Sequence, residues 1–426
     1  MNFNQALTTA TEVAVAKLAD LREDVILVRD LQGRIRLLLK KSRDPNSEFY
    51  PHIQSLVQDV STALGDYAYP PADLVMYRDK LRQLGLPDAS EASFLADNGT
   101  YKVCLHDRLL TGTEWNTEPA QEDPRRFTLF SMKGGVGRST TAVVLARHLA
   151  TKGKRVLILD MDLESPGVGT TLLGGTLPLY GIVDWFVEDA LGEGDRFLSN
   201  MVEESSLGQD TSGHIAVVPA FGTETGDYLS KLGRVYLERG PNGHESWSER
   251  LKRLVAALET QETPDVVLLD SRTGLHDTSA ALVLAMGANT LCFAVDTQQT
   301  WAAYRFLFQH WQQHHQQLAD FRDKLWILGA MVPSQQTQVY VDGLRDKAWD
   351  LFRDHFYETA NPQDTDAFSY SAEDEAGNHY PRLILWQQGL MAFDPLDEWT
   401  DQLVTAAYQG FLDWFDQVML PEPAGT

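Results

Sequence analysis

Phe130-Ser-Met-Lys-Gly-Gly-Val-Gly-Arg-Ser-Thr-Thr141 decides how this chain of 426 residues is read. The apolar run Phe127–Ser131 before it has the character of a buried strand. Thr140–Thr151 after it carries helical periodicity and stops at Lys152-Gly153, a common helix ending. Between them stand Gly134, Gly135, Val136 and Gly137. Without Cβ atoms the glycines let the backbone turn sharply and aim successive N–H groups inward, as a nest for phosphate oxygens. The N-terminus of the following helix adds its own unsatisfied donors and favourable dipole. Ser139 supplies a hydroxyl, a hard oxygen ligand of the kind Mg²⁺ takes.

Working outward, the pattern from Arg125 alternates strands with helices. Arg155–Asp160, Ile215–Pro219, Val266–Asp270, Thr290–Asp296 and Leu325–Val332 are continuous apolar runs, as strands buried on both faces would be. Arg250–Leu258 and Trp301–Leu318 between them read as helices. The alternation predicts an α/β fold, a doubly wound and mostly parallel sheet covered on both sides. The first part differs. Ala6–Leu21 reads as a helix, Val25–Leu39 as two strands around a turn at Asp30–Gly33, and Tyr101–Leu105 as a further strand. Thr111–Pro124 is polar with two prolines and reads as a linker. The expected division is therefore a small α+β domain, 1–122, and an NTPase-like domain, 123–426. Polar insertions or lids are expected near 222–249 and 342–380.

Two positions depart from the general P-loop pattern: Met132 stands at its first glycine and Arg138 replaces its lysine. Lys133-Gly-Gly-Val-Gly-Arg-Ser-Thr140 resembles instead the deviant P-loop of the ParA/MinD superfamily, in a KGGVGR variant, over roughly Arg125–Val332. The resemblance implies ATP as ligand, with Gly134–Thr140 cradling its phosphates and Lys133 reaching across a dimer interface to the partner's nucleotide. It implies Mg²⁺ held by Ser139 and, through water, by Asp160 of Leu159-Asp-Met-Asp-Leu-Glu-Ser-Pro-Gly167. Asp162 corresponds to the carboxylate that orients the attacking water, although such a loop could also simply cap a helix. Asp270 closes the strand Val266–Asp270 as the second, water-mediated carboxylate, and the Gly274 amide stands where the γ-phosphate would be sensed. Arg272 reads either as an arginine finger or as the partner of a nearby carboxylate. Arg138 keeps the positive charge but is not interchangeable with lysine, which bears on hydrolysis. Pro333-Ser334 follows Leu325–Val332 where the family often has Asn or Asp, so no adenine contact is assigned.

Composition limits the partners. There are 36 basic and 60 acidic residues, net −24. Residues 1–120 carry 13 basic and 17 acidic residues, so most of the excess lies beyond them. That balance opposes DNA binding by phosphate neutralisation. From Leu383 to Thr426 there is no Lys or Arg, against Asp394, Asp397, Glu398, Asp401, Asp413, Asp416 and Glu422. The amphipathic stretch Asp394–Gln417 therefore reads as packed on the sheet or against a protein, not on an anionic membrane. Arg29, Arg34, Arg36, Lys40, Lys41 and Arg43 form one basic cluster across the expected hairpin, read as protection of an exposed edge strand, with nucleic-acid binding as the minority alternative. His310 and His314 share a helix face without the glutamate of a metalloprotease motif, so no metal is assigned there. Cys104 and Cys292 are too few for a disulfide framework, and no signal or membrane-spanning segment is evident; a cytoplasmic protein is expected.

The expected function is an ATP-binding, slowly hydrolysing switch that forms a homodimer around ATP–Mg²⁺ and presents a nucleotide-dependent surface to a protein partner. The alternative is a nucleotide-sensing scaffold that scarcely hydrolyses, because of Arg138.

Overall fold

A computed structural model describes residues 1–40, 44–77, 92–109, 111–237, 245–314, 318–335, 337–358, 367–391, 393–397 and 399–420. The chain forms two compact units, Met1–Thr113 and Glu114–Thr426.

The first unit contains α1 (Phe3–Leu21), β1 (Val25–Arg29), β2 (Ile35–Leu39), α2 (Tyr50–Leu64), β3 (Val75–Tyr77), β4 (Ser93–Asp97) and β5 (Lys102–Asp107). Asn2 and Gln5 close a capping box at the start of α1. The alanine and leucine stripe Ala6, Ala10, Ala14 and Leu18 then lies against Val25 and Leu27 of the sheet. Strand order is β3-β2-β1-β5-β4. This corrects the edge-strand reading of the basic cluster, since β1 and β2 are both interior. Arg29 is buried against Asp107, and Arg34 and Arg36 lie over the Tyr69 ring at 4.8 and 3.8 Å. Lys41 and Arg43 lie outside the described residues.

The second unit holds an eight-stranded sheet of order β13-β12-β11-β6-β10-β7-β9-β8. Its strands are β6 (Arg126–Ser131), β7 (Arg155–Asp160), β8 (Glu203–Glu204), β9 (His214–Val218), β10 (Val266–Asp270), β11 (Asn289–Ala294), β12 (Leu325–Val332) and β13 (Arg382–Leu385). All pairings are parallel except β8 with β9. The helices are α3 (Arg138–Thr151), α4 (Val168–Leu173), α5 (Ile182–Asp189), α6 (Tyr228–Val235), α7 (Trp247–Glu262), α8 (Asp277–Ala280), α9 (Gln298–His314), α10 (Ala319–Arg322), α11 (Thr337–His355) and α12 (Asp401–Trp414). Successive strand residues face opposite sides. Val156 and Ile158 join α3, α4 and α12 in one core, whereas Leu157 and Leu159 join α5 and α7 in another. The expected doubly wound α/β sheet is present.

Sequence and structure differ at several places. The boundary lies at Thr113/Glu114 and not near Glu122, because the proline-containing stretch is no free linker. Trp115 is buried against Phe130 and Trp311, and the amides of Ala120 and Asp123 donate to Leu284 and Gly287 carbonyls. The stretch 222–249 holds α6 and the start of α7, with 238–244 outside the described residues. The stretch 342–380 begins within α11, whose Leu344, Ala348 and Phe352 are core residues, and 359–366 lie outside the description. In the C-terminal stretch, Tyr408, Phe411 and Phe415 pack into the sheet core, Phe415 with its ring 4.8 Å from that of Phe127. Glu398 and Glu422 are not among the described residues. His310 is half-buried and shares a hydrogen bond with Asn116, and no metal-binding cluster occurs among the described residues.

Candidate functional site

The centre of the sheet sets the site. β6 runs between β11 and β10, and residues 132–137 carry the chain from its C-terminal end into α3. In open parallel sheets ligands bind at that end of the strands. Gly135 and Gly137 have φ of +72° and +89°, and a Cβ at either would meet nothing within 4 Å. Glycine is needed there for the left-handed backbone and not for space. Gly134 is exposed, Val136 is buried in the core, and Thr140 is half-buried at the first turn of α3. Lys133 is exposed on the rim, and it has no ion pair among the described residues. Its carbonyl accepts from the Ser131 hydroxyl at 2.8 Å.

Three carboxylates gather beneath this loop. Asp160 and Asp270 end neighbouring strands in register with each other. The Ser139 hydroxyl donates to Asp270 Oδ2 at 2.6 Å. Asp160 Oδ2 accepts the amides of Gly167 and Gly169, both at 3.0 Å. Asp160, Asp162 and Asp270 each keep a buried Oδ1 with no partner. Burial, then the Asp270 charge, pushes the Asp160 carboxyl up to about 7, against the pull of the two glycine amides. Burial pushes Asp270 up to about 6, opposed by Arg138 and by the Ser139 hydroxyl. Buried anions with orphaned oxygens call for a cation. The donor set, one hydroxyl and two carboxylates at neighbouring strand ends, fits Mg²⁺, which keeps much of its water shell and needs few protein ligands.

The Arg138 side chain is buried. Its guanidinium donates to the Ser271 carbonyl and lies 3.4 Å from Asp162 Oδ2. Burial raises the Asp162 pKa, and the Arg138 charge opposes this. The residue in the phosphate-lysine position and the candidate water-orienting carboxylate are thus each other's partner. Gly274 has φ +82°, and its N–H donates to the Ser131 carbonyl at 2.8 Å.

Arg272 pairs with Glu164 at 2.6 Å. Glu164 also accepts from the Tyr236 hydroxyl and lies 3.7 Å from His276 Nε2. Tyr228 at the start of α6 donates to the Leu163 carbonyl. This ring of residues around the 162–164 loop was not singled out in the sequence, and nothing in their spacing signals it. Gly169, whose N–H donates to Asp160, was also missed. A Cβ at Gly169 would lie 2.7 Å from Pro219 Cβ and 2.9 Å from its Cα.

Residues 125–176 match the family described as ParA: NUBPL iron-transfer P-loop NTPase. The chromosome-partitioning ATPase Soj of Thermus thermophilus is 52% identical over 50 residues, 12% of this chain and 19% of Soj. An iron-sulfur cluster carrier protein of Deinococcus radiodurans is 38% identical over 94 residues, 22% of this chain and 27% of that protein. The chain thus spans about a quarter or less of the length of these curated relatives. Among solved structures, a ParA family ATPase from Chlorobium tepidum is similar with a TM-score of 0.44 and 14% identity, over 68% of this chain and 98% of that one.

Proposed function

On the premise that the chain carries a P-loop of the ParA/MinD type, we propose that it is an ATP-operated switch. ATP fills the nest Gly134–Thr140 with Mg²⁺ at Ser139, two copies close around the nucleotide, and slow hydrolysis reopens them. The observation that carries the reading is the Ser139 hydroxyl 2.6 Å from Asp270, beside buried and unpartnered carboxylate oxygens at the mouth of the nest.

Each residue has a task in this scheme. The backbone amides of Gly135–Thr140 hold phosphate oxygens by their fixed direction. Asp160 and Asp270 fix water around the cation, each kept in place by a hydrogen bond to one oxygen, from glycine amides or Ser139. A bound Mg²⁺ supplies charge neutralisation at the β- and γ-phosphates. Asp162 orients the attacking water once Arg138 has left it for the phosphates. Lys133, exposed and unpaired among the described residues, bridges to the second subunit. A protein partner recognises the closed state. No helix among the described residues is long and apolar enough to cross a membrane, both cysteines are free and buried, and we assign the switch to the cytoplasm.

A second reading is favoured by one contact. Because Arg138 and Asp162 hold each other, the protein could bind ATP and signal its presence with almost no turnover. Multi-turnover phosphate release from the purified chain separates the two. In the first case release is measurable and Asp162→Ala abolishes it. In the second, wild type and variant are equally silent while both still bind ATP. Absence of ATP binding would refute both.

A further inference from the structure

Arg272 follows β10 in a segment whose backbone is fixed against the end of β6. The Ser271 N–H and hydroxyl both donate to the Leu129 carbonyl, at 3.2 and 2.7 Å, and the Gly274 N–H donates to that of Ser131 at 2.8 Å. The Arg272 carbonyl itself accepts from the Ser279 hydroxyl of α8 at 2.8 Å. Both flanking residues face the nest. The Ser271 carbonyl accepts from Arg138, and the Thr273 methyl lies 3.9 Å from where a Cβ on Gly134 would stand. Arg272 therefore leaves the chain one residue, about 3.8 Å of backbone, from contact with the glycine loop.

The side chain is held more lightly than this backbone. Among the described residues its one ion-pair partner is Glu164, and it is 32% exposed. A pair open to water to that degree is screened and contributes little. Arg250 shows the contrast: fully buried, it donates to Asp189 and to the Leu237 and Phe186 carbonyls. Nor does Glu164 depend on Arg272. The same Oε1 accepts from the Tyr236 hydroxyl and lies 3.7 Å from His276 Nε2, so it stays hydrogen-bonded if the guanidinium departs.

The location matters for the chemistry. Glu164 is two residues beyond Asp162, which sets the Arg272 guanidinium on the side from which water attacks in the proposed reaction. Charge spreads over the γ-phosphoryl oxygens as that attack proceeds, and a planar fork of donors matches two such oxygens at once. A cation that arrives with this charge stabilises the transition state more than the ground state.

Resting on the reading that this chain hydrolyses ATP, we propose that Arg272 is a catalytic arginine acting on its own subunit's nucleotide. In the resting state Glu164 holds it off the phosphates, and it passes to the γ-phosphoryl oxygens as water adds. The water oxygen bonds to the γ-phosphorus while the bond to the β,γ-bridging oxygen breaks and ADP leaves with that electron pair. Arg272 donates hydrogen bonds only and keeps its protons. Glu164 is its positioning residue.

The test combines steady-state phosphate release with binding of ADP–Mg²⁺, with and without aluminium fluoride as a mimic of the transferring phosphoryl group, on the full chain. Arg272→Ala should lower kcat at least about a hundredfold, with KM and ADP affinity within about threefold of wild type. Aluminium fluoride should tighten ADP binding by about tenfold or more in wild type and leave it unchanged in Arg272→Ala. Arg272→Lys should recover only part of the lost rate, since an ammonium lacks the fork. Glu164→Gln keeps an acceptor for Tyr236 but removes the competing charge, so kcat should rise by about three- to tenfold. A kcat within about threefold of wild type in Arg272→Ala overturns the catalytic role, and so does an equal loss of kcat and ADP affinity, the sign of a structural residue. A fall in kcat with Glu164→Gln overturns the holding role. Turnover regained on mixing Arg272→Ala with Asp162→Ala places the arginine on the other subunit's nucleotide and overturns the assignment in cis. Wild type that binds ATP without releasing phosphate overturns the catalytic arginine and leaves the nest intact, whereas wild type that binds no ATP overturns both. Should Arg272→Ala not fold, Arg272→Lys and Glu164→Gln still decide.

Discussion

Arg138→Lys is the substitution with the sharpest expectation. The Arg138 side chain is 8% exposed, donates to the Ser271 carbonyl and sits 3.4 Å from Asp162 Oδ2. A lysine ammonium keeps the charge but cannot serve both acceptors from one planar fork. One hydrogen bond from a charged donor is therefore lost, a cost of about 1.5–3 kcal/mol if nothing relaxes. The charge remains near Asp162, so about 1 kcal/mol is the better expectation for the fold, a fall in melting temperature of about 2–4 °C. For function the sign reverses. Asp162 must be released from its partner before it can orient water, and each 1.4 kcal/mol removed from that step is about tenfold in rate. Arg138→Lys should therefore hold ATP affinity within about tenfold. Single-turnover and steady-state phosphate release should stay level or rise by up to about tenfold. Loss of both binding and turnover would refute the reasoning, showing a pocket built around the guanidinium itself.

Four further outcomes are expected. Lys133→Ala should leave ATP affinity within about tenfold while sedimentation no longer detects an ATP-dependent dimer; a surviving dimer refutes the bridging role. Gly169→Ala forces a Cβ to 2.7 Å from Pro219. It should cost about 1–3 kcal/mol in denaturant titration and weaken Mg²⁺-dependent binding through Asp160; an unchanged midpoint contradicts this. Asp160 and Asp270 titrate at about 7 and about 6 in the fold against 3.8 when unperturbed. The nucleotide-free fold thus binds more protons than the unfolded chain between about pH 4 and pH 7, and its stability falls as pH rises through that window. A cation needs both carboxylates charged, so the thermal shift produced by ATP–Mg²⁺ should be larger at about pH 8 than at about pH 6; the opposite order excludes these carboxylates from the site. Anionic vesicles and random duplex DNA should not bind at about 150 mM salt with or without ATP, given the −24 net charge and the tail without Lys or Arg. A salt-sensitive DNA shift that vanishes on deleting residues 1–113 would overturn that and move the function to the first unit.

The parts legible in the sequence are those written in local chemistry. Val266–Asp270 and Arg155–Asp160 could be read as strands because both faces are covered, leaving no polar interruption. The glycines at 135 and 137 announced a backbone that only glycine adopts easily. What escaped depends on contacts distant in sequence. Trp115 hid in a stretch of linker composition because its partners, Phe130 and Trp311, lie far along the chain. β13 is four residues long and half exposed at the sheet edge, so no periodicity marked it. Arg138 was expected on phosphate. Its pairing with Asp162 joins the first turn of α3 to the loop after β7, a contact that spacing along the chain does not announce.

The most direct test of the ATP-switch reading is equilibrium binding of ATP to the full chain, with Mg²⁺ and with the metal chelated, in wild type and in Ser139→Ala. The expected result is saturable binding that weakens at least about tenfold on chelation, and a Ser139→Ala variant whose affinity no longer responds to Mg²⁺. Binding equally strong without the metal, or equally metal-dependent without the hydroxyl, would contradict the assignment of Ser139 and Asp270 as the centre of the site.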